Sequence, residues 1–221
     1  MAVQEPAGTD PAPAAVRVDP RIARSRAVIV EAATAHYLAH GYREANLDDV
    51  AREARVSKRT IYNVIGGKEQ LFRAVLAEAI DTAERFSVEV AAGIGDTDDV
   101  ATELGGVAST LAASVLGGRI VSLRRLLIAE ATRFPELARD YYERAPGRVM
   151  TTLADGLARL AARGLLDIDD AELAAEHLAF LVLGASLDRA LFEADAPSAT
   201  TVETRARAGV EVFLRAYACR P

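Results

Sequence analysis

Residues 46–64 read NLDDVAREARVSKRTIYNV and contain two short helical patterns separated by a tight turn. Asn46 and Ser57 each stand directly before one of the patterns, where a side-chain oxygen can accept hydrogen bonds from the free N–H groups of a helix N-terminus. We therefore predict helices over residues 47–54 and 58–64. Both are too short to be stable in isolation, so they must pack on neighbouring helices.

The sequence on each side of this pair predicts a longer helix. Asp19-Pro20 is typical of a helix start and Gly41 of a helix end, so the first helix should span about residues 20–40. The Gly66-Gly67 break precedes a second long helix that begins near Lys68. Three helices with a tight turn between the second and the third form a helix-turn-helix unit, whose third helix fits the major groove of DNA.

The third helix has two different faces. Its spacing separates polar side chains on an outer face from apolar side chains on an inner face: Lys58, Arg59, Thr60 and Asn63 outside, and Ile61, Val64 and Ile65 inside. The charge distribution points to the same region. Residues 16–72 carry ten Arg and Lys against seven Asp and Glu, whereas the whole chain has a net charge of −6. A basic segment on an acidic protein indicates where a nucleic acid would bind.

The composition of the whole chain favours an all-α protein. Of its 221 residues 51% are hydrophobic and 26% are charged, which is typical of a folded globular chain. Strand-like alternation is nearly absent, whereas Ala, Leu, Arg and Glu favour helices. The single cysteine excludes a disulfide framework and a cysteine-based zinc site.

Caps and breaks predict nine or ten helices in two domains. Residues 1–18 form a disordered tail, residues 19–67 the helix-turn-helix domain, and residues 68–221 a larger helical bundle. Within the bundle, the expected helices span residues 68–92, 98–116, 119–132, 135–144, 146–162, 169–193 and 200–218. Because no apolar stretch is long enough to cross a membrane and no signal peptide is apparent, we expect a cytoplasmic protein without a membrane partner.

The helix-turn-helix region resembles the tetracycline-repressor (TetR) family over about fifty residues. The resemblance rests on Arg26, Ile29, Val30, Ala32, Ala33, His36, Tyr37, Gly41, Tyr42, Leu47, Val50, Ala51, Ala54, Val56, Ser57, Thr60, Ile61, Tyr62, Lys68, Glu69, Leu71 and Phe72. Residues 126–164 also resemble the C-terminal domain of the AefR-like branch, through a segment that reads AEATRFPELAR at 129–139. The family usually has Gly where this chain has Arg55. That position often adopts a left-handed backbone, in which a non-glycine residue costs about 1 kcal/mol.

The resemblance implies sequence-specific binding to double-stranded DNA with a near-palindromic operator. The residues that it assigns to the DNA interface are Asn46, Ser57, Lys58, Arg59, Thr60, Tyr62, Asn63 and Lys68. Asn63 suits an adenine edge and Lys58 a guanine edge, whereas the Tyr62 hydroxyl suits a phosphate. Asn46 and Lys68 lie at helix N-termini, where free N–H groups bind phosphate. Arg17, Arg21 and Arg24 either reach DNA as an N-terminal arm or remain solvated surface charges.

The resemblance also implies a homodimer formed through the last two long helices and a cavity for a small, apolar effector. The effector would release the repressor from its operator. Candidate cavity residues, each of which could instead belong to a packed core, are Phe86, Leu104, Leu127, Phe134, Tyr142, Met150 and Phe180.

Other chemistry finds no support in the sequence. We predict no catalytic residues, no metal site and no cofactor, because His36 and His40 lack the adjacent glutamate of a zinc-protease motif and no nucleophile motif is present. Two alternatives remain open. The chain could be a helical ligand carrier or enzyme that does not bind DNA, or a constitutive architectural DNA-binding protein with a solid C-terminal core.

Overall fold

A computed structural model describes residues 19–94, 98–193 and 197–219, so the predicted tail at 1–18 lies outside the described residues. Over these ranges the protein is all-α, as predicted, and an isolated bridge between Leu166 and Ala218 is the one β-type pairing. The helices are α1 (Pro20–Glu44), α2 (Leu47–Glu53), α3 (Lys58–Val64), α4 (Lys68–Gly93), α5 (Val100–Leu116), α6 (Gly118–Glu130), α7 (Pro135–Tyr142), α8 (Arg148–Ala162), α9 (Ala171–Phe192) and α10 (Ala199–Tyr217).

The predicted helix caps are confirmed. The side chain of Asn46 accepts a hydrogen bond from the backbone N–H of Asp48 at 3.0 Å, and Ser57 Oγ accepts one from Thr60 at 3.0 Å. The helix expected at residues 169–193 is capped in the same way, because Asp170 accepts a hydrogen bond from the N–H of Leu173 at 3.0 Å. Each cap satisfies a donor that the helix itself leaves free, which fixes where these helices begin.

The chain departs from the predicted boundaries at two places. Gly41 breaks the helical path as predicted (φ 73°, ψ 173°), but helical structure resumes for residues 42–44. Pro146 was expected to start a new helix, and this prediction is wrong. Pro146 lies inside a π-helical turn, Glu143–Gly147, that joins α7 to α8 without a loop. The wide turn accommodates a residue that has no N–H to donate.

A kink in α9 was not predicted. Gly184 has φ 24° and ψ −126°, a left-handed conformation that bends the helix near its middle. Arg55 has φ 55° and is the one non-glycine residue with positive φ in the described ranges. The left-handed backbone expected at this position is therefore confirmed.

Two hydrophobic cores organise the molecule. The first joins α1, α2 and α3 to the start of α4, to α6 and to α7, and at its centre Tyr37, Tyr42, Phe72 and Phe134 contact one another edge to face or tilted. The second joins the rest of α4 to α5, α8, α9 and α10. Because α4 and the α6–α7 region belong to the first core, the packing crosses the predicted domain boundary at residue 68.

In the part of the chain that the structure describes, no single helix is long and apolar enough to cross a membrane. The pair α5 and α6, bent by 56° at their junction, passes the same test of length and composition.

Candidate nucleic-acid interface and effector cavity

The outer face of α3 is open to solvent. Ile61 is fully buried in the first core, and its burial orients the helix so that Lys58, Arg59, Tyr62 and Asn63 are exposed. Half of the Tyr62 surface is accessible to solvent (50%). The predicted face is thus available for contact with DNA.

Lys58 is held in place by a carboxylate. Its Nζ donates a hydrogen bond to Oδ2 of Asp48 at 3.0 Å, which links the first turns of α2 and α3. The hydrogen bond and the negative charge of Asp48 raise the pKa of Lys58, so that the ammonium stays charged. To contact a guanine, Lys58 would have to exchange its hydrogen bond to Asp48 for one to the base.

The side chains of the capping residues Asn46 and Ser57 already make hydrogen bonds within the protein. Ser57 Oγ lies 2.8 Å from the hydroxyl of Thr60, so these two side chains are partners of each other at the start of α3. The first turn of α2 carries Asp48 and Asp49, and Asp49 pairs with Arg52. Two carboxylates beside the Asn46 cap oppose a phosphate there, which weakens the predicted phosphate site at the start of α2.

Lys68 links the end of α1 to the start of α4. Its Nζ donates to the carbonyl of Arg43 at 2.9 Å and lies 4.9 Å from the centre of the Tyr42 ring, while its own carbonyl accepts a hydrogen bond from the Tyr37 hydroxyl at 3.0 Å. Burial is the main reason why the pKa of Lys68 is lowered. The ammonium of Lys68 thus already has a structural partner. Its contact with a DNA phosphate stays a prediction.

The predicted N-terminal arm is only partly described. Arg21 and Arg24 are exposed on the first turns of α1, whereas Arg17 lies outside the described residues.

A cavity of about 330 Å³ lies between α4, α5, α6, α7, α8 and α9. Four of the seven residues predicted for such a cavity line it: Phe86, Tyr142, Met150 and Phe180. The other three do not. Leu104 packs in the second core, and Leu127 and Phe134 pack in the first, because α6 and α7 turn these side chains towards the helix-turn-helix domain.

The polar residues of the cavity were not predicted. Arg124, Tyr141, Glu176 and Asp188 line it together with apolar side chains. Helical spacing could have indicated Tyr141, since it stands four residues after the buried Leu137, whereas the selected Tyr142 is 62% exposed. No sequence signal marks Arg124, because its position depends on how α6 packs.

Apolar side chains are also exposed on the last two helices. Leu173, Phe180 and Leu181 on α9 and Val212 on α10 each have at least 40% of their surface accessible. The two helices pack very closely, because a Cβ at Gly209 would lie 2.6 Å from the backbone oxygen of Leu181. Large exposed apolar groups on tightly packed helices are typical of a surface that meets another protein.

Comparison with known proteins agrees with this architecture. Residues 29–75 match the family described as "Bacterial regulatory proteins, tetR family", and residues 102–219 match the domain described as "AefR-like transcriptional repressor, C-terminal domain". The chain belongs to the TetR family.

Individual relatives support the assignment. A TetR-family transcriptional regulator from Mesorhizobium loti is 32% identical and aligns with a TM-score of 0.82, covering 91% of this chain and 100% of that one. The flavonoid-responsive regulator FrrA is 25% identical, with a TM-score of 0.70 and coverage of 90% and 100%. Over 83 residues the chain is 40% identical to the HTH-type transcriptional repressor SCO4008 of Streptomyces coelicolor, a match that spans 37% of this chain and 38% of that protein.

TetR-family membership settles the broad function. The family and these relatives are transcriptional regulators, so this chain is a transcriptional regulator and not an enzyme. TetR-family regulators bind DNA, and residues 29–75, which match the family's N-terminal model, include the helix-turn-helix.

Proposed function

We propose that this TetR-family protein is a homodimeric repressor that binds a near-palindromic operator through α3 and leaves it when a small, mostly apolar molecule occupies the cavity. The observation that carries this proposal is the position of α6. Arg119, near the start of α6, forms an ion pair with Glu31 of α1 through two hydrogen bonds. Ile120 and Arg124 of the same helix line the cavity. One helix therefore touches both the effector site and the helix-turn-helix domain.

DNA binding is proposed to use the exposed face of α3. Asn63 has the donor and acceptor needed for two hydrogen bonds to adenine, and Lys58 and Arg59 supply positive charge. Tyr62 would donate its hydroxyl to a backbone phosphate, which fixes the register of the helix in the groove. In a two-fold dimer the two α3 helices must lie about 34–36 Å apart, one turn of DNA, or a multiple of that distance.

The exposed apolar surface of α9 and α10 supports the dimer. Leu173, Phe180, Leu181 and Val212 would each lose contact with water in a four-helix bundle with a second copy. Burial of such groups contributes about 25 cal/mol per Å² of apolar surface. A two-fold interface repeats every contact, so each of these groups would contribute twice.

Release of DNA requires that the effector distinguish two states of the dimer. A molecule that binds both states equally shifts nothing, however tightly it binds. The cavity supports a ligand-responsive regulator over a constitutive architectural protein, which would need no such space.

The proposal is tested by selecting bound fragments from random duplex DNA with the full chain, at several salt concentrations. We expect a near-palindromic sequence, weaker binding as salt rises, and a loss of affinity in Asn63→Ala. Arg85→Ala is a control that removes an exposed polar side chain of α4, outside the helix-turn-helix domain, and should leave sequence selection unchanged. A protein that binds ligands but selects no duplex would instead be a carrier.

A further inference from the structure

The cavity contains one positively charged side chain and two negatively charged ones, at different depths. Arg124 on α6 is half-buried, whereas Glu176 and Asp188 on α9 are exposed. The positive charge is therefore the one that a bound molecule would meet away from bulk water, where electrostatic interactions are strongest.

Arg124 and Tyr141 have polar groups without a partner among the residues that the structure describes. Within the described residues, neither the guanidinium nor the phenol makes a hydrogen bond or an ion pair. The two groups are close enough to interact: burial raises the pKa of Tyr141, and the positive charge of Arg124 opposes that rise. A buried tyrosine usually has a partner for its hydroxyl, so the hydroxyl of Tyr141 at the cavity wall is available to a bound molecule.

We propose that the effector is an apolar molecule with a single carboxylate, which Arg124 and Tyr141 bind together. This inference rests on the proposed function, because it names the chemical class of the effector for the same cavity. A guanidinium binds a carboxylate through two parallel hydrogen bonds, and the phenol donates a third. The rest of the molecule would contact apolar side chains such as Phe86, Leu111 and Met150.

The other charges in the cavity favour a monoanion over alternatives. A second negative charge on the ligand would be buried among apolar groups without a partner, and it would be repelled by Glu176 and Asp188. A cation could approach these two exposed carboxylates at the cavity mouth. It would then place its positive charge near Arg124 when it moved inside, which is unfavourable.

The test uses matched pairs of probes that differ only in charge. Dodecanoic acid is compared with dodecanamide and dodecylamine, and 2-naphthoic acid with 2-naphthamide, by calorimetric titration into the full-length protein without DNA. We expect at least one acid to bind at least tenfold more tightly than its amide, and no binding of the amine. The two pairs distinguish an aliphatic from an aromatic acid as the source of the carboxylate.

Two neighbouring arginines on α6 provide the variants. Arg124→Met keeps the length of the side chain and removes its charge, so the affinity for the acid should fall at least tenfold while that for the amide changes less than twofold. Arg125→Met is the matched control. Arg125 donates to the carbonyl of Glu193 at 3.2 Å and does not line the cavity, so its loss should leave the ratio of acid to amide affinity unchanged. Tyr141→Phe should weaken acid binding several-fold, and circular dichroism melts establish that each variant is folded.

The inference is overturned if acid and amide bind equally, if the ratio survives in Arg124→Met, if the amine binds best, or if no probe binds. DNA binding measured on the same samples separates this inference from the proposed function. If the protein binds its operator but no acid, only the effector class is wrong. If an acid binds through Arg124 and the operator is never released, the inference stands and effector-driven release fails.

Discussion

Arg119 on α6 and Glu31 on α1 form a two-point ion pair, with Nη1 3.1 Å from Oε1 and Nη2 2.7 Å from Oε2. The pair joins the helix that contacts the cavity to the first helix of the DNA-binding domain. The hydrogen bond from Arg119 is the largest cause of the lowered pKa of Glu31. Both side chains are accessible to solvent, so we expect a geometric link with a small effect on stability.

Glu31→Gln should therefore destabilise the protein slightly at neutral pH. The pKa of Glu31 is lower in the folded protein than in the unfolded chain, so its contribution is present above the ordinary value of 4.5 and is lost as the pH falls through the folded value. Urea unfolding at pH 7 should give a loss of about 0.5 kcal/mol, which shrinks towards pH 4. Asp155→Asn on α8, where no ion-pair partner is present in the described ranges, is the control and should show neither effect. A loss that grows on acidification would contradict this assignment.

Arg55→Gly should stabilise the protein by about 1 kcal/mol, because glycine adopts the left-handed backbone of Arg55 without strain. Arg55→Ala is the matched control, since it removes the same side chain and keeps the strain. Thermal or urea unfolding of both variants isolates the backbone effect. Equal stabilities for the two variants would show that residue 55 is not strained.

Asp48→Asn should increase the affinity for DNA and make it more dependent on salt. The substitution removes a negative charge from the DNA-facing side and frees Lys58 from its 3.0 Å ion pair. Fluorescence anisotropy with a fixed duplex should show tighter binding at low salt, with a slope of log K against log salt that is steeper by about one. The double variant Asp48→Asn/Lys58→Ala should lose most of the gain. Weaker binding by Asp48→Asn alone would mean that the carboxylate positions Lys58 for its base.

Gly209→Ala should destabilise the protein by about 1–3 kcal/mol, because the added methyl group would lie 2.6 Å from the backbone oxygen of Leu181. Gly106→Ala on α5 is the control. No atom lies within 4 Å of a Cβ at Gly106, so this helical glycine should gain about 0.5–1 kcal/mol. If neither substitution changed the free energy of unfolding in urea, the claim that α9 and α10 are in close contact at Gly209 would be contradicted.

The features that the sequence predicted well are those that local chemistry controls. Asn46, Ser57 and Asp170 cap their helices through side chains two or three residues from their donors, so no distant contact is needed. The outer face of α3 was predictable because Ile61 sets the helical phase. The left-handed backbone of Arg55 was predictable from the family resemblance, because the family usually has Gly at this position.

The features that it missed depend on contacts between distant segments. The kink at Gly184 and the π turn around Pro146 both line the cavity, where segments far apart in the sequence meet. Helical periodicity does not show which neighbour each apolar face meets. Leu127 and Phe134 were therefore assigned to a cavity from which they are absent.

The polar partners inside the DNA-binding domain were missed for the same reason. Asp48 and Lys58 are ten residues apart, and Lys68 reaches the carbonyl of Arg43 across twenty-five residues. Both lysines stand out in the sequence by type and position. Their partners within the folded domain depend on contacts between segments that are distant in the sequence.

The most direct test of the central claim is the stoichiometry and salt dependence of binding to the selected duplex, measured with wild type and Asn63→Ala. The account predicts an even number of protein copies per duplex, affinity that falls steadily as salt rises, and a loss of about 1–3 kcal/mol in Asn63→Ala on the selected sequence but not on random DNA. A single copy on the duplex, or equal losses on both sequences, would contradict the account.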